Sequence, residues 1–259
     1  MVRAIPWRRR RAEGQRTGSM SVLEHLQELR HRIIVAVIAV AVGMVPAWFL
    51  WEPFKDLIRA PYCDLLASQP QLAPPTGCDL VFLGAVEPVI IKLKVVLVIG
   101  LVIAMPVVLY QLWSFIVPGL TERERRYAIP FIVSATVLFL LGAFVAYLTL
   151  PKALGWMIGF AGSGFVAMLT ADKYIGLVVI LALAFGISFL LPAVLVFLEM
   201  VGILSPQRLA GFRRWAFLSI AVFAAVITPS SDPFSMLALM IPMYVFYEAS
   251  IIVGRAIKR

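Results

Sequence analysis

The segment Tyr110–Tyr127, "YQLWSFIVPGLTERERRY", crowds carboxylates among guanidinium groups: Glu122 and Glu124 interleave with Arg123, Arg125 and Arg126. A carboxylate presents two acceptor oxygens that match the planar fork of an arginine. Such a loop can therefore receive a cationic partner. The same composition also describes a solvated loop laced with local ion pairs, each worth about 0–1 kcal/mol. Which reading holds depends on the elements that carry the loop.

Chemistry elsewhere is sparse. The histidines, His25 and His31, both precede the first apolar run and read as interfacial polar residues. There is no HExxH, Cys/His cluster, GxSxG or Walker A pattern, and no nucleophile–base pair at membrane depth. The chain is therefore read as not an enzyme, with no metal and no cofactor. Glu199 and Glu248 fall near the inner ends of long apolar runs, where acidic residues are functional candidates by default. Pairing or snorkelling near the interface is the plain alternative. A proton-coupled secondary transporter of a small solute would use such acids, together with broken helices in matching halves. Pro106, Pro192 and Pro242 can kink three of the runs, but no inverted repeat accompanies them.

The elements behind these residues are membrane helices. The chain has 259 residues, 62% of them hydrophobic, and a mean hydropathy of +0.96, whereas soluble domains are about 45–50% apolar. In lipid every backbone polar group needs an internal partner, which selects helix. A span needs about 20 apolar residues. Six runs qualify: 33–51, 89–114, 128–150, 174–201, 215–227 and 235–253. The expected fold is an all-α membrane protein of six transmembrane helices with two short C-terminal spans. The fifth run reaches only about 20 Å, although Ser205 as N-cap and Pro206 at the first helical position can start its helix earlier.

The net charge of +9 sits at the ends of the apolar runs, which points to membrane orientation rather than to nucleic acid. Arginines dominate the N-terminal region, the 117–127 loop, the 208–214 segment and the C-terminus. By the positive-inside rule these lie inside, so both termini are in the cytoplasm. Residues 1–19 read as a basic disordered tail without the apolar core of a signal peptide, 20–254 as the membrane domain, and 255–259 as a short basic tail. Met20 is an alternative start. Cys63 and Cys78 share one Pro-rich outer loop, where an oxidising exterior permits a disulfide.

Three segments carry a family resemblance: "LEHLQELRHRI" (Leu23–Ile33), the 110–127 loop, and "ITPSSDPFSMLALMIPMYVFYE". Together they resemble TatC, the polytopic core of the twin-arginine (Tat) protein translocase, over about residues 20–254. The resemblance implies an inner-membrane protein that recognises twin-arginine signal peptides at its cytoplasmic face and nucleates a complex that moves folded proteins. It implies as partners TatA/TatB-like single-span subunits, signal-bearing cargo, the lipid bilayer and further copies of itself in a homo-oligomer.

The family's loop pattern falls on Phe115 and Glu124, followed by Arg125 and Arg126. Its N-terminal pattern falls on His25, Leu26, Glu28, Leu29, Arg30 and Arg32, and its outer turn on Thr228, Pro229 and Asp232. Glu124 and Glu28 are then acceptors for signal arginines, with Phe115, Trp113 and Pro118 as an apolar wall. Arg30, Arg32 and Arg125 have three open roles: fixing topology, holding the glutamates through ion pairs, or meeting lipid phosphates. The outer turn is structural or partner-facing. One departure stands out. Many members carry Glu or Gln where this chain has Leu190, and Glu199 lies nine residues on, at the opposite helix face.

Overall fold

The computed structural model describes residues 22–70, 74, 77–116, 128–160, 169–228 and 232–257. Its helices are α1 (Val22–Phe49), α2 (Trp51–Ser68), α3 (Glu87–Ile116), α4 (Ala128–Gly159), α5 (Ala171–Ser188), α6 (Leu191–Met200), α7 (Pro206–Gly211), α8 (Arg213–Ile227) and α9 (Pro233–Ile257). Among the described residues five stretches are long and apolar enough to cross a membrane: Leu23–Phe49, Glu87–Phe115, Ala128–Gly159, Ala171–Met200 and Pro233–Ala256. The protein is an all-helical, multi-pass membrane protein.

The hydropathy runs find these spans, with corrections at their edges. The α9 helix has 25 residues and reaches about 37 Å, so it is not a short span. The α8 helix has 15 residues and falls short of a hydrocarbon core of about 30 Å. Ser205 does cap a helix, its hydroxyl accepting from the Arg208 N–H at 3.3 Å, but that helix is the separate α7, which ends before Phe212. Pro192 breaks the fourth run. It lacks an N–H and its ring crowds the carbonyl of Ser188, and α5 gives way to α6 through Phe189 and Leu190. Pro106 and Pro242 lie within continuous helices.

The largest correction is α2. The Pro-rich outer stretch is not all loop, because Trp51–Ser68 is helical and carries Cys63. Pro61 inside it removes the donor that would serve the Leu57 carbonyl. That carbonyl instead accepts from the Tyr147 hydroxyl of α4 at 3.1 Å, and the next carbonyl, Ile58, accepts from Tyr174 of α5 at 2.7 Å. Cys63 is joined to Cys78 by a disulfide with Cα atoms 5.1 Å apart. Arg59 pairs with Asp79 at 2.6 Å. The chain then runs to Val81, whose carbonyl accepts the Ala171 N–H at 2.8 Å in an isolated parallel bridge. Glu87, opening α3, accepts from the N–H groups of Leu83, Gly84 and Asp172. These ties form a cap over one end of the bundle.

Small residues set the helix crossings, as expected where lipid competes equally for apolar side chains. At the α1–α3 crossing a Cβ on Gly43 would stand 2.5 Å from the Gly100 carbonyl oxygen. At the α4–α5 crossing a Cβ on Gly142 would meet the Phe185 carbonyl at 2.5 Å. α1 packs chiefly on α3, and α4 on α5, so the start of α1 lies beside the end of α3.

Candidate functional site

The end of the bundle opposite the cap brings described residues of the first motif beside those at the end of α3. Glu28 and Arg32 are one helical turn apart on α1. An Arg32 guanidinium N–H donates to Glu28 Oε1 at 3.1 Å, and another donates to Gln111 Oε1 of α3 at 3.2 Å. Gln111 is buried, 9% exposed. The remaining carboxylate oxygen, Glu28 Oε2, is buried and has no hydrogen-bond partner among the described residues. His25 stacks on Phe115, ring centroids 4.3 Å apart. One oriented carboxylate and one partly covered aromatic ring therefore stand where α3 leads into residues 117–127. Arg30 points to the surface.

Trp113 faces the other way. It is 2% exposed and packs between Phe131 of α4 and Phe197 of α6, with centroids at 4.9 and 4.7 Å. As it stands it is a packing residue that sets the end of α3 against its neighbours. Glu124, Pro118 and Arg125 lie outside the described residues, as does Pro229.

The outer turn of the third motif stands on other helices, between the end of α8 and the start of α9. Thr228 is buried, and its hydroxyl donates back to the Ala224 carbonyl at 2.8 Å. Asp232 is fully buried and caps α9: its Oδ1 accepts the Ser235 N–H at 2.7 Å, with Pro233 at the first helical position, the arrangement that satisfies an orphan donor at a helix start.

The two acids make different contacts. Glu248 pairs with Arg213 of α8 at 2.8 Å and accepts from Tyr244 at 3.3 Å, so it joins α8 to α9. Glu199 is 2% exposed and lies against Gly254, where an added Cβ would stand 2.0 Å from Glu199 Oε2. Leu190 sits at the α5–α6 junction and packs with the apolar cluster around Met105, Leu109 and Phe139.

Sequence reasoning missed Gln111. Its signal was available: a lone amide near the end of a nearly continuous apolar run, four residues before Phe115.

Comparison with known proteins identifies the family. The family model for "Sec-independent protein translocase protein (TatC)" matches residues 24–242. The chain belongs to this family. A Sec-independent protein translocase protein TatC from Frankia casuarinae is 42% identical over 258 residues, covering 98% of this chain and 70% of that protein. A TatC from Aquifex aeolicus is 36% identical over 243 residues, covering 93% and 97%. A crystal structure titled twin arginine translocase receptor TatC superposes with a TM-score of 0.71 at 37% identity, covering 91% of this chain and all of that one. TatC membership gives the charged loop after α3 and the α1 motif a common context: both belong to one translocase subunit.

Proposed function

We propose that this chain is the polytopic subunit of a Tat translocase in the cytoplasmic membrane, that it recognises twin-arginine signal peptides at its cytoplasmic face, and that it nucleates the complex that moves folded cargo. The observation that carries the reading is the junction of α1 and α3. Arg32, itself donating to Gln111, holds one oxygen of Glu28, while the other has no hydrogen-bond partner among the described residues. A guanidinium arriving there finds an acceptor already oriented. Its neighbour in the signal peptide meets Glu124, which follows Phe115 by nine positions. Phe115 supplies an apolar surface, and Arg32 acts by holding Glu28 rather than by touching the peptide. Pro118 and Arg125 shape the loop around Glu124.

In this reading α8 is a sixth, short span, shielded by its neighbours or by a locally thin bilayer. Both termini are cytoplasmic, residues 1–19 and 255–259 are basic tails, and 20–254 is the membrane domain. TatA/TatB-like single-span subunits and further copies of this chain are the partners. The family gives no sign of catalysis, and Glu248, bound to Arg213, has a structural task that fits a translocase subunit better than a proton-coupled transporter.

The test is binding of a twin-arginine peptide and its twin-lysine counterpart to the purified protein, to Glu28→Gln and to Glu124→Ala. Wild type should prefer arginine, and each folded variant should lose most of that preference. Equal binding of both peptides by all three proteins would move recognition away from these carboxylates.

A further inference from the structure

The capped end carries a second site of a different chemistry. Between α2, the start of α3 and the start of α5 lies a cup of about 290 Å³. Leu80, Ile91 and Ile175 form its floor, and Lys55, Arg59 and Asp79 line its rim. Trp51, Lys55 and Arg59 are spaced by four residues and so share one face of α2. Beside them Lys92 of α3 places its Nζ 4.0 Å from the Trp48 ring centroid and 5.9 Å from that of Trp51.

The charges around the cup do not balance. Lys55 pairs with Glu52 and Arg59 with Asp79, but these carboxylates are 69% and 80% exposed, so water screens both pairs. Lys92 has no carboxylate partner among the described residues. Arg59 Nε is buried with no acceptor among the described residues, whereas buried donors nearly always find one. The site lies where α1 ends and α3 begins, flanked by two tryptophans, the residue type that concentrates at membrane–water interfaces.

We infer that this cup binds an anionic phospholipid of the adjoining leaflet, its phosphate between Lys55, Arg59 and Lys92 and its acyl chain over the apolar floor. An inorganic anion would use the rim and leave the floor without purpose. A zwitterionic lipid would carry its own cation into a site that already has an excess of them.

The experiment is thermal unfolding of the delipidated full chain in a neutral detergent, titrated separately with short-chain phosphatidylglycerol, short-chain phosphatidylcholine and inorganic phosphate. Phosphatidylglycerol should raise the melting temperature to a plateau, and the other two should not. Half-saturation should weaken about fivefold for each cation removed, in Lys55→Gln and in Lys92→Gln, and further in Arg59→Gln. If Arg59→Gln does not fold, the two lysine variants carry the test. Lys152→Gln, distant from the cup, should respond like wild type. Equal protection by inorganic phosphate overturns the lipid assignment in favour of a simple anion site. Equal protection by phosphatidylcholine, or an unchanged response in both lysine variants, overturns it altogether.

Discussion

The two ends of the bundle are built by opposite means. At the capped end α2 and the segments before α3 and α5 are held by a disulfide, by the Arg59–Asp79 pair, by the Val81–Ala171 backbone bond and by two tyrosine hydroxyls on successive α2 carbonyls. At the other end α1 and α3 meet through one Arg32 guanidinium and one ring stack. Apart from the screened Arg59–Asp79 pair at the lipid cup, the first end is tied by bonds that a ligand does not need to exchange. The second offers charge-assisted contacts, partly open to solvent, that an arriving arginine can join. A protein that recognises a peptide at one membrane face while holding its frame at the other is served by this division.

The comparison can be broken first at the cap. Cys63→Ser together with Cys78→Ser removes a cross-link spanning 15 residues, and should lower stability by about 3 kcal/mol on the chain-entropy model. Thermal unfolding in detergent under non-reducing conditions reads this, and the arginine-over-lysine preference of the other end should survive. A preference lost with the disulfide would show that the ends are coupled. Asp232→Ala should cost about 1 kcal/mol through loss of the α9 cap, seen as a lower melting temperature with peptide binding intact.

Tyr174→Phe leaves the Ile58 carbonyl without its hydroxyl donor and should cost about 1 kcal/mol. Tyr147→Phe should cost less, because its hydroxyl is more exposed. The smallest stability effect belongs to the recognition end. Glu28→Gln breaks a partly exposed pair worth about 0–1 kcal/mol, so its melting temperature should stay close to wild type while signal-peptide discrimination falls. A large loss of stability there would make Glu28 a structural residue. Gln111→Leu sharpens the point: it should leave the helix packing in place but free Arg32, and so weaken discrimination less than Glu28→Gln does.

Hydropathy was a reliable guide where lipid is the neighbour. Long apolar runs have one solution in a bilayer, so the spans ending in α3, α4 and α9 were legible. It failed at α2, whose second half, "PYCDLLAS", begins with a proline and reads as part of a Pro-rich loop. The apolar residues Trp51, Phe54, Ile58, Tyr62 and Leu65 of this helix recur every three or four positions and face the core, and two tyrosine hydroxyls on α4 and α5 anchor it from 90 and 116 residues away. No local pattern announces a donor that distant. Trp113 shows the converse limit. Its place beside Phe115 in the chain suggests one shared wall, but neighbouring positions on a helix point in different directions, and Trp113 turns into the bundle.

The motifs in the chain determined that this is a helical membrane protein of the TatC family and named the carboxylates worth testing, because hydrophobic length, charge asymmetry and short motifs are local properties. Only the tertiary structure decided that Glu28 is oriented by Arg32 and Gln111, that Asp232 is a helix cap, and that Glu199 and Glu248 serve different helix pairs. Those outcomes depend on which helices touch. That is set by glycine crossings such as Gly43 on Gly100, where the absence of a side chain matters only once the facing helix is known.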